Sequence, residues 1–269
     1  VQDKKMYYSV FSFSGWSLFG NLAYMSYTQG LNIIINMFFG PVVNAARAVS
    51  LQIEQSVRTF VTNFQAAANP QIIKNCAAQD WVSMHQLMYR SSKFSVFLLF
   101  LFALPIVLEI DTILELWLCE VPEHTAMFCR IMFGVIMMET MFNSIMVGVS
   151  AHGDIKKYQL LVSTVLLTIL PISYITLVLG LGPESVFVVY FIVEFFACLT
   201  RLWIAREKIQ ISVRHFFTHV ALVVTYVMTA SAVIPSLIHF LMPDGLERLL
   251  LVFSSGFILS CVFIYQLGL

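Results

Sequence analysis

Residues 44–69, NAARAVSLQIEQSVRTFVTNFQAAAN, decide how this chain is to be read. The stretch is long and apolar enough to cross a bilayer, which takes about 20 residues, yet it carries Arg47, Glu54, Arg58 and Gln65. At about 100° per residue those four fall within roughly 20° of one line, with Asn44, Thr62 and Asn69 near its edge. Val49, Leu51, Ile53, Val57, Phe60, Val61 and Phe64 cover the other faces. An arginine at mid-bilayer costs upward of about 2.5 kcal/mol, so it faces a cavity or a partner rather than lipid. Glu54 and Arg58 stand one helical turn apart and can pair. The stripe therefore has two readings: an ion pair that satisfies itself, or a cationic lining for an anionic substrate. A guanidinium suits phosphate because its fork engages two oxygens at once.

The rest of the chain has the same solvent. Of its 269 residues 59% are hydrophobic and 11% charged, whereas soluble domains carry about 25% charged residues. Mean hydropathy is +0.85. So few charges cannot cover a water-facing surface. Reading outward from the opening stretch predicts eight spans, at about 12–38, 44–68, 92–109, 125–150, 158–180, 185–204, 216–240 and 246–266. Gly40-Pro41 turns the first span into the second, and Asn69-Pro70 ends the second. His152-Gly153-Asp154, Gly182-Pro183 and Pro243-Asp244-Gly245 make later breaks. Pro105 and Pro171 are expected to kink their spans. Between the third and fourth, Leu114, Trp117 and Leu118 predict a short interfacial helix. The expected class is an all-α integral membrane protein with eight transmembrane helices.

Charge placement supports that count. Lys4 and Lys5, then Lys74, Arg90 and Lys93, then Lys156 and Lys157, then Arg201, Arg206, Lys208 and Arg214 are read onto one side. Glu109, Asp111, Glu115, Glu120, Glu123, Glu184, Asp244, Glu247 and Arg248 are read onto the other. Lysine and arginine mark the cytoplasmic side, so both ends are expected there. The chain opens on Val1 rather than Met and closes directly after an apolar run. The expectation is a piece of a larger protein.

Other polar groups fall inside the spans. Asn21, Thr28 and Asn32 lie near one line of the first, flanked by Tyr24, Gln29 and Asn36. That stripe either bonds to other helices or walls a water-filled cavity. Glu139 and Glu194 read as lone carboxylates in apolar runs, with Asn143 one turn from Glu139. Buried carboxylates can exchange protons, so Glu139, Glu194 and Asn143 are candidate ion-coupling groups, or else structural hydrogen-bonding ones. The six histidines complete no metal set, and neither metal nor cofactor is expected. Five scattered cysteines read as apolar fillers, although Cys119 and Cys129 could pair. There is no P-loop, no GxSxG and no patch suited to nucleic acid.

The stretch GWSLFGNLAYMSYTQGLNIIINMFFGPVVNAARAVSLQIEQSVRTFVTNFQAAANPQIIK, residues 15–74, resembles bacterial polysaccharide and O-antigen flippases. These belong to the multidrug/oligosaccharidyl-lipid/polysaccharide exporter superfamily. FFGPVVNAARAV and NPQIIK are its most specific pieces, with SKFS at 92–95 and GDIKKYQ at 153–159 in keeping. The resemblance is strong over 15–110 and rests on pattern alone beyond. It implies the C-terminal portion of a MATE-like, fourteen-span protein: a six-helix lobe over residues 1–211, two appended helices over 212–269, and an N-terminal lobe not contained here.

It further implies transport of undecaprenyl-diphosphate-linked oligosaccharide across the bacterial inner membrane by alternating access, for surface polysaccharide such as O-antigen or capsule. The implied partners are that polyprenyl diphosphate, membrane lipid, the other lobe, and the polysaccharide polymerase or glycosyltransferases of the same route. Arg47, Arg58, Glu54 and Gln65, with Asn21, Thr28, Gln29, Asn32 and Asn36, are then the expected substrate-binding residues. The main rival is a multidrug or organic-cation antiporter of the same superfamily, which calls for an acidic cavity. A membrane enzyme such as a polysaccharide polymerase or ligase would need a large external loop with catalytic groups. The chain offers none, and it is not expected to be an enzyme.

Overall fold

The computed structural model describes residues 4–118 and 120–268, which form helices and their connections with no strand among them. Among the described residues, seven helices are long and apolar enough to cross a membrane, over 10–77, 81–108, 125–151, 156–178, 184–209, 213–241 and 246–266. The chain is a multi-pass membrane protein.

Helix α1, Lys4–Ala77, holds the first two predicted spans in one element. It is broken at Gly40, whose φ of 77° and ψ of −172° suit only a residue without a Cβ. Pro41 follows at the start of the second arm, where no N–H is missed. The break reverses the chain. Arg47 Nη2 donates to the Thr28 carbonyl at 3.0 Å across nineteen residues, which an unbroken helix would hold about 28 Å apart. The two arms, 4–39 and 41–77, thus lie side by side. The expected stop at Asn69-Pro70 does not occur, because α1 runs on through Pro70 to Ala77. A proline inside a helix forfeits one backbone bond, and the flanking turns carry the helix past it.

Helix α2, Trp81–Leu108, starts well before the predicted 92, where the Asp80 side chain caps it by accepting from Ser83 N at 3.1 Å. Helix α3, Ile110–Trp117, is the predicted short segment, with Ile110 and Leu114 buried beside Cys129. Cys119 lies outside the described residues, and Cys129 has a free, buried thiol. Helix α4, Thr125–Ala151, matches its predicted span. The fifth span divides at Thr168 into α5, Lys156–Leu167, and α6, Ile169–Val178, just ahead of Pro171. Helix α7, Glu184–Ile209, is followed by α8, Val213–Phe216, a π-helical turn over Phe217–Ala221, α9, Leu222–Leu241, and α10, Leu246–Phe263.

Helices α4 and α7 pack on each other at the centre, with both arms of α1, α2 and α5 around them. Phe128 stacks on Phe187 at 4.1 Å there. Helices α9 and α10 pair with each other and lean on α2. One end of the bundle is lysine-rich: Lys208 bonds Asp154, Lys157 bonds Glu207, and His85 Nε2 meets the Ile209 carbonyl at 2.7 Å. The other end carries Arg130 on Asp111 at 2.5 Å and Glu109 under Arg248 at 2.8 Å.

Candidate functional site: a polar cleft between α1, α4, α5 and α7

Polar residues on four helices enclose a cleft of about 300 Å³. The first arm of α1 brings Asn21, Tyr24 and Tyr27, and the second arm brings Arg58 and Gln65. Glu139 and Asn143 come from α4, Tyr158 and Gln159 from α5, and Arg201 from α7. The Gln159 side chain folds over Gly20, where a Cβ would stand 2.1 Å from its Oε1 and push the amide aside.

Arg58 is the hub. Its Nη2 donates to Glu54 Oε1 at 2.7 Å, the one-turn pair expected from the sequence, and its Nη1 donates to Glu139 across the cleft. Glu139 is therefore not a lone carboxylate. Nor is Glu194, which accepts from Arg201 two turns further along α7 and lies 3.7 Å from the Cys198 thiol. Both acids gain partners because helix packing and the seven-residue spacing bring a guanidinium to each. Asn143 Nδ2 donates to Gln65 Oε1 at 2.5 Å, and Gln65 Nε2 donates to the Thr140 carbonyl at 3.1 Å. These bonds hold the amides against α4.

The remaining expected site residues stand off the walls. Arg47 is 3% exposed, bonded to the Thr28 carbonyl and 5.9 Å from the centre of the Phe187 ring, and its Nε and Nη1 have no partner among the described residues. Glu54 and Glu194 are buried behind the lining. Thr28 and Asn32 are half-buried, while Gln29 and Asn36 are exposed on the outside of the first arm, with Asn32 donating to Gln29 at 3.0 Å. No family model, curated protein or solved structure matches the chain.

Three arginines, Arg47, Arg58 and Arg201, balance Glu54, Glu139 and Glu194 overall. The lining itself carries two guanidinium groups and one carboxylate. Each guanidinium on the wall is already matched, Arg58 by Glu54 and Glu139 and Arg201 by Glu194, so the cleft is polar and near neutral until a ligand displaces a carboxylate.

Arg201 is the residue that sequence reasoning missed. It was read onto the lysine-rich loops, yet it is buried in α7. The signal was its spacing of seven from Glu194, two turns on one face. Arg248 and Glu109 move inward in the same way, to a buried pair between α10 and the end of α2. A second polar face was also missed. Gln52, Gln55, Ser56, Thr59 and Asn63 form an exposed stripe along the second arm, centred more than a right angle around the helix from the buried Arg47–Gln65 line. Amides left bare in hydrocarbon cost several kcal/mol each, so this face meets water or protein.

Proposed function

We propose that this chain is one lobe of a transporter that moves undecaprenyl-diphosphate-linked oligosaccharide across the bacterial cytoplasmic membrane. The observation that carries the reading is that two guanidinium groups, Arg58 and Arg201, line one polar cleft, each held by carboxylates that an anionic ligand can displace. A diphosphate replaces its hydration shell with such guanidinium forks, and the amides of Asn21 and Gln159 on the cleft wall suit sugar hydroxyls.

On this reading α1 counts as two spans divided at Gly40, which gives eight, with both ends cytoplasmic by the lysine-rich termini of the bundle. Helices α1–α7 form the six-span lobe of a MATE-like fold, and α9 and α10 are the appended pair. The exposed polar stripe of the second arm faces an aqueous passage shared with a second lobe. Rocking of the lobes exposes the passage to each side in turn, while the lipid tail stays in the bilayer. Glu139 is the coupling group. It competes with the substrate for Arg58 Nη1, so a proton or cation at Glu139 releases that side of the guanidinium to phosphate while Glu54 keeps Nη2.

The test is made in the complete transporter. Arg58→Ala should abolish export of surface polysaccharide with lipid-linked precursor accumulating inside, and Arg58→Lys should recover little because the fork is lost. Normal surface polysaccharide in cells carrying Arg58→Ala would end the reading. Loss of organic-cation efflux in its place would favour the antiporter.

A further inference from the structure

The lysine-rich end of the bundle holds a second hollow, of about 420 Å³, outside the cleft. Its rim is Lys156 and Lys157 at the start of α5 and Lys208 in the last turn of α7, with Asp154 between, and its floor is Leu160 and Leu161. Gly153, at φ +90°, turns the chain so that Ile155 is buried and the two lysines open the helix on the rim.

Three ammonium groups stand against two carboxylates, Asp154 in the lining and Glu207 beside it, which leaves one positive charge over. Lys208 is spoken for by Asp154, and Lys157 by Glu207. Among the described residues Lys156 has no carboxylate partner; its Nζ lies 5.3 Å from the Trp16 ring, as Lys157 Nζ lies 4.4 Å from Trp203. Tryptophans collect at headgroup depth, so this rim stands at the edge of the bilayer. The leucines lie one turn deeper along α5. Charge above and hydrocarbon below is the order of a phospholipid, and basic hollows between helix ends hold anionic headgroups.

We propose that Lys156, Lys157 and Lys208 hold the phosphate of an anionic membrane lipid whose acyl chain lies along Leu160 and Leu161. The site is independent of what the cleft carries. A soluble phosphate would share the ammonium groups but gain nothing from the leucine floor.

The full chain is reconstituted in vesicles of phosphatidylcholine, with and without phosphatidylglycerol, and lysine acylation is followed by mass spectrometry. Phosphatidylglycerol should slow labelling of Lys156 several-fold while exposed Lys74 changes little. Equal protection of both lysines would reduce the effect to general surface charge and overturn the site. So would protection of Lys156 by millimolar inorganic phosphate in pure phosphatidylcholine, which would make the ligand a soluble anion. In detergent, Lys156→Gln should weaken retention of phosphatidylglycerol about five-fold, the worth of one interfacial lysine. Undiminished retention by Lys156→Gln together with Lys208→Gln would refute the proposal. The wild-type labelling decides the matter even if those variants fold poorly.

Discussion

Arg58 in the second arm of α1 and Glu139 in α4, 81 residues apart in sequence, meet across the cleft in a direct guanidinium–carboxylate contact. The pair ties the hairpin of α1 to the central helix. Arg58 also holds Glu54 at 2.7 Å, so losing Glu139 leaves it one anion rather than none.

That redundancy sets the size of the first prediction. Glu139→Gln should cost about 2 kcal/mol, the scale of one hydrogen bond to a charged group, and Arg58→Ala somewhat more, since it strands two carboxylates. The double variant should fall short of the sum by about 1 kcal/mol or more. Unfolding of the purified protein in detergent measures this. Additive losses would mean that the contact holds nothing together.

Gly40 gives a cleaner case. A Cβ built there meets nothing within 4 Å, so packing does not oppose a side chain. The backbone does, because φ 77° with ψ −172° is open only to glycine. Gly40→Ala should therefore destabilise by about 1–3 kcal/mol, with no cavity or clash to relieve it. A thermal midpoint equal to wild type would argue against the reversal of α1 at this residue.

How far the sequence foretold this arrangement depends on the range of the interaction. The Gly40 break, the Glu54–Arg58 pair and the short helix α3 are local, and periodicity or punctuation exposes them. Asn69-Pro70 misled because a turn signal is only a preference, and the helix passes through it to Ala77. The burial of Arg47 against Thr28 and Phe187, and the partnering of Glu139 by Arg58, depend on which faces of distant helices meet. No helical wheel contains that. A wheel did place Arg58 and Gln65 on one line, and both reach the cleft; it could not tell that the same line turns inward at Arg47.

Glu194 and Arg201 carry a third prediction. Both are buried in α7, and Arg201 Nη1 also reaches the Cys198 sulfur at 3.4 Å. Removing one member of such a pair leaves an uncompensated charge and costs about 3–5 kcal/mol, whereas replacing both with apolar groups of similar volume is often neutral. Glu194→Ala should thus fold poorly, and Glu194→Leu with Arg201→Met should recover most of the lost midpoint. A double variant no better than the single one would show that the packing around Tyr158, rather than the charge, is what fails.

The last prediction concerns the attachment of α9 and α10. Glu109, just past the end of α2, accepts from Arg248 of α10 at 2.8 Å and bonds His239 of α9 at 2.8 Å. Burial pushes its carboxyl up, but the hydrogen bonds from Arg248 and His239 outweigh that and hold it below the ordinary 4.5. A carboxyl depressed on folding binds fewer protons in the native state than in the unfolded one. Its stabilisation is therefore complete above the ordinary value and drains away as pH falls through the depressed one. The midpoint of the wild-type protein should stay level from about pH 7 to about pH 5 and drop below that. Glu109→Gln should start lower at neutral pH, by about 2 kcal/mol, the scale of one hydrogen bond to a charged group, because Arg248 keeps Asp244 as a partner, and should lose less than wild type on acidification. Parallel curves for the two proteins through the acid range would mean that another carboxylate sets the acid limit, and that the Glu109 contact does not hold the terminal helices in place.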